Sequence, residues 1–282
     1  MQWRGRRGSN NIEDRRSRSG GGGARAGGIG GVGLIAVLLI GWFFGIDVSG
    51  FLNDPGAQQG APREMTQADI DAGEFVSVTL ADTEQVWTQI FGEIDRDYAA
   101  PTLVLYSGTT DAARCGPASG ATGPFYCPGD KKVYLDTDFF AVMEQRLGAK
   151  GDFAAAYVVA HEVAHGVQDQ LGILGQANQV RTQSSPEDSN LISVKIELQA
   201  DCFSGVWAKR GAQLGGFDRE DFKEALNAAV QIGDDTLQAN AGQRPQPHTF
   251  THGTSEQRAN WFFRGLQSGD IADCDTFSVD QL

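Results

Sequence analysis

The sequence has no Cys-x-x-Cys pair, no internal repeat and, beyond its first 25 residues, no surplus of basic charge. The first absence excludes the common structural zinc modules, which draw their ligands from such pairs. The second excludes solenoid and propeller arrays. The third argues against a nucleic-acid partner, because non-specific binding to nucleic acid is driven by Lys and Arg. Net charge is −13, and residues 1–25 carry seven Arg and two acids, a local +5 that leaves −18 on the rest of the chain. Histidine is scarce too, with four in 282 residues. At this length and 40% hydrophobic content, one large domain or two small ones can bury a core.

One long hydrophobic run is present. Residues 26–46, "AGGIGGVGLIAVLLIGWFFGI", hold no charge and in a helix would reach roughly the 30 Å of a bilayer's hydrocarbon core. Trp42, Phe43 and Phe44 stand near its far end, where aromatic rings suit the interface. A cleaved signal peptide fits less well: its apolar core is shorter, and "GIDVSGFLNDPG" offers no small-x-small site. The pattern predicts a basic tail over 1–25, a single transmembrane helix over 26–46, a Gly/Pro-rich linker over 47–68 and a folded domain over 69–282. The positive-inside rule puts the N-terminus in the cytoplasm and the domain outside it.

Four cysteines fit an exported domain. Four half-cystines allow three connectivities, and four free thiols are the alternative. Cys115 and Cys127 flank a Gly/Pro-rich loop and make the natural local pair, which leaves Cys202 to tie Cys274 to a helix.

Periodicity predicts a mostly helical α+β domain with a small sheet. A helix is expected around Val86, Ile90, Phe91 and Ile94, with strands at "PTLVLYSG" and around Val133–Asp136. "GDFAAAYVVAHEVAHGVQDQLG" reads as a helix with Asp152 as N-cap and Gly172 as stop signal. A polar loop, "GQANQVRTQSSPEDSN", leads to a helix through "LISVKIELQADCFSGVWAKRG". Further helices follow at "DREDFKEALNAAVQIG" and from Thr254, where Gln257 completes a capping box.

The first of the two long helices carries the chemistry. His161 and His165 are four residues apart, so both imidazoles project from one helix face toward a shared ion. Glu162 lies one step around. Zinc held there lowers the pKa of a water molecule, and Glu162 can take its proton and deliver it to a leaving amine. The apolar helix offers the pair shelter that two solvated surface histidines would not need.

Catalytic zinc normally takes three protein ligands. Gln168 and Leu171 stand where a metzincin has Gly and its third His, and no His-x-x-Glu-His occurs. A Glu from a second helix is the remaining common arrangement. Glu197, in "KIELQADCF", is the best candidate, because an unpaired carboxylate in so apolar a helix would be costly to bury. Asp201, four residues on, can accept the distal N–H of a ligand histidine. Glu187 in a loop or first turn, and Glu220 and Glu224 on a charged face, are weaker. His252 precedes a helix start and can donate to the oxyanion formed at a scissile carbonyl. His248 is the alternative for that role or for zinc, and a plain surface histidine is the competing reading for both.

Together, "WRGRRGSNNIEDRR", the hydrophobic run, "AHEVAHGVQ", "ELQADCFSGVWA" and "THGTSEQR" resemble a bacterial family of neutral zinc metallopeptidases across nearly the whole chain. The resemblance implies a zincin-like fold with "KKVYLD" as the edge strand beside the active-site helix. It implies His161 and His165 as zinc ligands and Glu162 as general base. "ELQAD" is similar to the Glu-x-x-x-Asp of gluzincins, which supports Glu197 as ligand and Asp201 as its orienting partner. The expectation is a single-pass zinc metallopeptidase of the bacterial cell membrane. It is anchored in the lipid bilayer through residues 26–46 and acts on a peptide or protein substrate outside the cytoplasm. A non-catalytic zinc-containing scaffold and an amidase acting on cell-wall peptides are the rival readings.

Overall fold

A computed structural model describes residues 1–17, 64–119, 122–214, 216–279 and 281–282. The predicted anchor at residues 26–46 lies outside the described residues. Among the described residues no helix is long and apolar enough to cross a membrane.

The architecture is α+β, mostly helical with a small sheet. Strands β1 (Ile12–Asp14), β2 (Thr102–Tyr106), β3 (Thr109–Ala112), β4 (Gly116–Ser119), β5 (Phe125–Cys127) and β6 (Lys132–Asp136) form two sheets. The larger has the order β1-β2-β6-β5, with β5 antiparallel to β6 and the other pairs parallel. β3 and β4 form a separate antiparallel pair. The helices are α1 (Gln67–Glu93), α2 (Asp138–Gln145), α3 (Asp152–Gln170), α4 (Ile173–Arg181), α5 (Pro186–Gln213), α6 (Arg219–Gln231), α7 (Asp234–Asn240) and α8 (Ser255–Ser268).

Local chemistry sets several boundaries. Thr66 caps α1 in a reciprocal box with Asp69, and Thr254 caps α8 with Gln257 as its sequence predicts. Ser185 caps α5, with Pro186 at a position where its missing N–H costs nothing. The two cysteine pairs are Cys115–Cys127 and Cys202–Cys274.

The structure corrects several expectations. Asp152 is the first residue of α3 rather than its N-cap, which is Gly151. Half of the expected polar loop after Gly172 is helix α4, and α5 begins at Pro186, five residues before the apolar face starts. The strand containing "KVYLD" is interior, between β2 and β5, so β5 is the sheet edge next to the helices. Most consequentially, residues 1–17 are not a separate tail. Ile12–Asp14 pairs with Leu103–Leu105, and Trp3 is buried in the main core against Phe75. The folded unit therefore does not begin near residue 69.

Helix α3 runs through the middle of this unit and packs on α1, α5 and α6. It is buried almost all round, which explains why its sequence is apolar on every face. The Phe153 and Trp207 rings stack at 5.4 Å between α3 and α5. Where α5 crosses α8, a Cβ on Gly205 would come within 2.0 Å of the Phe262 carbonyl oxygen, and one on Gly265 within 1.9 Å of that of Cys202. Only glycine at both positions permits this approach, and the approach brings Arg258 of α8 to Asp201 of α5.

Candidate metal centre

α3 and α5 together supply His161, His165 and Glu197, whose ligand atoms all lie within 4.8 Å of one another. Nε2 of His161 is 3.0 Å from Oε2 of Glu197, and Nε2 of His165 is 3.5 Å from Oε1. The two rings stand nearly perpendicular, at 87° and with 4.9 Å between centroids. Two imidazole nitrogens and one carboxylate converging from two packed helices are the donor set of a His₂Glu zinc site with an open side. By donor type and spacing the residues fit zinc.

Both histidines have a polar partner behind them. Nδ1 of His161 lies 2.9 Å from Oδ1 of Asp201. Asp201 is wholly buried and receives Nε and Nη2 of Arg258 at 2.9 and 3.0 Å, along with the Tyr157 hydroxyl at 2.5 Å. Such bidentate pairing with a guanidinium is what makes a carboxylate tolerable there. Nδ1 of His165 is 2.9 Å from Oε1 of Gln168, three residues along the same helix. Gln168 is fully buried and its amide donates to the Ile196 carbonyl and to Gln199, which in turn donates to the Cys274 carbonyl. The amide cannot turn round without losing both acceptors, so its oxygen faces His165. That fixes Nδ1 as the protonated nitrogen and frees Nε2 for a metal.

The charges follow from these contacts. Burial opposes a charged His161, but Asp201 and then Glu197 outweigh it and push its pKa up to about 10. Burial opposes ionisation of Glu197, yet His165, His161 and His252 hold its pKa well below the usual carboxylate range. Asp201 is likewise lowered: burial opposes its charge, and Arg258 and His161 more than compensate.

Glu162 is 8% exposed and lines the same cleft as the three ligands. The cleft has a volume of about 760 Å³. Its walls are largely apolar, including Phe125, Tyr126, Phe139, Val158, Leu174 and Ile232. Strand β5 borders it and is fixed to α3 by the Tyr126 hydroxyl, 2.9 Å from Asp169.

His252 also lines the cleft, half exposed, while His248 lies on the exposed surface, where its carbonyl accepts from Asn190. Nδ1 of His252 is 3.2 Å from Oδ1 of Asp234, and the other carboxylate oxygen accepts the backbone N–H groups of Thr251, His252 and Gly253. Desolvation at the wall opposes its charge, but Asp234 and Glu197 raise its pKa above the ordinary value. The structure thus brings His161, Glu162, His165, Glu197 and His252 around one cleft, with Asp201 buried behind His161.

Apart from Asp201, sequence reasoning missed the supports. Gln168 was visible as a residue one turn from His165 on the same face. Arg258, Tyr157 and Asp234 carry no local signal, because only the fold brings them to their partners. Glu224 is not on a solvated face: its carboxylate accepts the Phe153 N–H at the start of α3, where negative charge suits the helix dipole. It sits where a side chain on Gly151, at φ 101°, would otherwise be.

A family described as "putative neutral zinc metallopeptidase" matches residues 1–277, including the docked N-terminal residues. The chain belongs to this family. It is 45% identical over 284 aligned residues to "Uncharacterized protein YpfJ" of Escherichia coli strain K12, covering 98% of this chain and 99% of that protein. It is 40% identical over 223 residues to "Uncharacterized protein Rv2575" of Mycobacterium tuberculosis strain H37Rv, covering 75% and 74%. No solved structure matches the chain.

Proposed function

From that family membership and from the ligand set, we propose that the protein is a zinc-dependent peptidase in which Glu162 acts as general base. The observation that carries the reading is the convergence of His161, His165 and Glu197 at the floor of a cleft that Glu162 also faces. These three side chains would hold the zinc, which would supply a Lewis acid to activate water and polarise the scissile carbonyl. Glu162 takes the proton from the attacking water and returns it to the leaving amine. His252, whose charged form Asp234 favours, donates a hydrogen bond to the oxygen on which negative charge develops. Asp201 and Gln168 hold the ligand rings in register.

An extended substrate adds as a strand to the free edge of β5, where its backbone N–H and C=O groups find partners. The apolar walls favour bulky hydrophobic side chains beside the scissile bond. A purely structural zinc site would need no base, so a buried-side Glu162 beside two ligands supports catalysis over a scaffold role. Residues 26–46 are the proposed point of contact with a lipid bilayer, and the paired cysteines favour a domain facing an oxidising compartment.

The test is paired. Glu162→Gln should keep stoichiometric zinc and lose at least about 100-fold in peptide cleavage, whereas Glu197→Ala should lose zinc. If Glu162→Gln cleaves a peptide library as fast as the parent, the mechanism is wrong. Purified cell-wall fragments assayed alongside distinguish a peptidase from an amidase.

A further inference from the structure

The N-terminal residues raise a question of compartment. Seven Arg before a charge-free run point to a cytoplasmic tail and an external domain. The described residues give four of them another purpose. Arg4 pairs with Asp71 at 2.9 Å, and Arg6 reaches both carboxylate oxygens of the buried Asp82 at 2.9 and 2.5 Å. Arg15 binds Glu13 and donates to the Asp111 carbonyl. Arg16, buried, binds Asp14 and the Asp69 carbonyl, and its guanidinium lies where a side chain on Gly73 would be. Their positive charge answers carboxylates of this fold, so it is not free to report an inner membrane face.

The docking is continuous rather than a single contact. The Trp3 indole N–H donates to Asp152 at the start of α3, at 2.9 Å. Ser9 and Ser77 exchange backbone and hydroxyl bonds on α1, and Ser9 and Asn11 both donate to Glu84. Strand β1 then fills one edge of the larger sheet, tied across it by Lys132 to Glu13 at 2.8 Å. Undocking would expose the Trp3 pocket, strip the edge of β2 and leave Asp82 buried without its cation, which costs far more than a surface ion pair.

Arg16, which precedes residues 26–46 in the chain, donates to the carbonyl of Asp69, which follows them, so both flanks of that run meet within one folded unit. A single crossing would put its flanks on opposite sides of roughly 30 Å of hydrocarbon. We propose that residues 1–17 and the zinc-site domain occupy the same side of the membrane. The arginine-rich start is then a structural part of the domain rather than a topology signal.

Single-cysteine variants of the full chain test this, because the native cysteines are paired. Arg7→Cys reports on the N-terminal segment and Lys223→Cys on the domain, both at exposed positions. Cells producing each variant are treated with a membrane-impermeant maleimide before and after lysis, with the parent chain as background. The expected result is matched behaviour: both sites label in intact cells to within about 2-fold, or both are protected until lysis. Labelling of one site in intact cells with protection of the other until lysis overturns the proposal.

Discussion

Gln168 shows how much of the site depends on a residue that touches no substrate. Its amide is locked between the Ile196 carbonyl and Gln199, so its oxygen can only accept, and His165 must be the donor. Gln168→Leu keeps the approximate volume but frees the imidazole to rotate and change tautomer. Zinc affinity should fall by about 10- to 100-fold, as for other residues behind metal ligands. Chelator competition measures this, and an unchanged affinity would remove Gln168 from the site. His161 adds a proton to the balance. With its pKa near 10 in the metal-free protein, it is charged at neutral pH and must lose that proton to bind metal. Zinc binding at pH 7 should release about one proton, read by calorimetry in buffers of different ionisation enthalpy. His252 gives a pH limb of its own. A histidine with a raised pKa keeps its donor charge at pH values where an ordinary one has lost it, and the benefit disappears as pH rises through the raised value. The alkaline limb of kcat/KM should therefore lie above pH 6.5 and move to lower pH in Asp234→Asn. A limb that stays in place would exclude His252 from the rate-determining proton state.

At the scale of elements, the site is a product of two helix crossings. α3 places the histidines against Glu197 of α5, and α8 crosses α5 closely enough for Arg258 to reach Asp201. Gly265→Ala would drive a methyl group into the Cys202 carbonyl. It should destabilise the fold by about 1–3 kcal/mol or more, as overpacked contacts do, and should also weaken zinc binding by shifting Asp201. Denaturant unfolding and metal titration of the same variant would show whether the two losses go together. The half of the site that lies within single helices was legible in the sequence: the spacing of His161 and His165 fixes their shared face, and Glu197 stands out as a carboxylate in an apolar stretch. The capping box at Thr254 was legible for the same reason, since all its parts fall within four residues. What depended on tertiary approach was not. Nothing near Arg258 points to Asp201, nothing in "GQANQVR" competes with the polarity that made it read as a loop, and the place of β6 inside the sheet depends on where β2 and β5 pair.

For the molecule as a whole, the misread segment was the first. Hydropathy and charge treated residues 1–25 as a tail because seven arginines near a hydrophobic run satisfy a well-founded rule, and their acidic partners lie 65 or more residues away for Arg4 and Arg6. The fold instead uses residues 1–17 to close a sheet edge and to brace the start of α3 through Trp3 and Asp152. This predicts a large effect from a substitution far from the metal. Trp3→Ala removes a side chain packed edge-on against Phe75 at 5.8 Å in the main core, and the cost of such truncations is about 3–5 kcal/mol. It also removes the donor to Asp152 at the very helix that carries His161 and His165. The full chain purified in detergent should unfold at markedly lower denaturant concentration, with m unchanged if the domain still unfolds as one unit. If Trp3→Ala matched the parent in both midpoint and slope, the N-terminal segment would not be part of the cooperative fold.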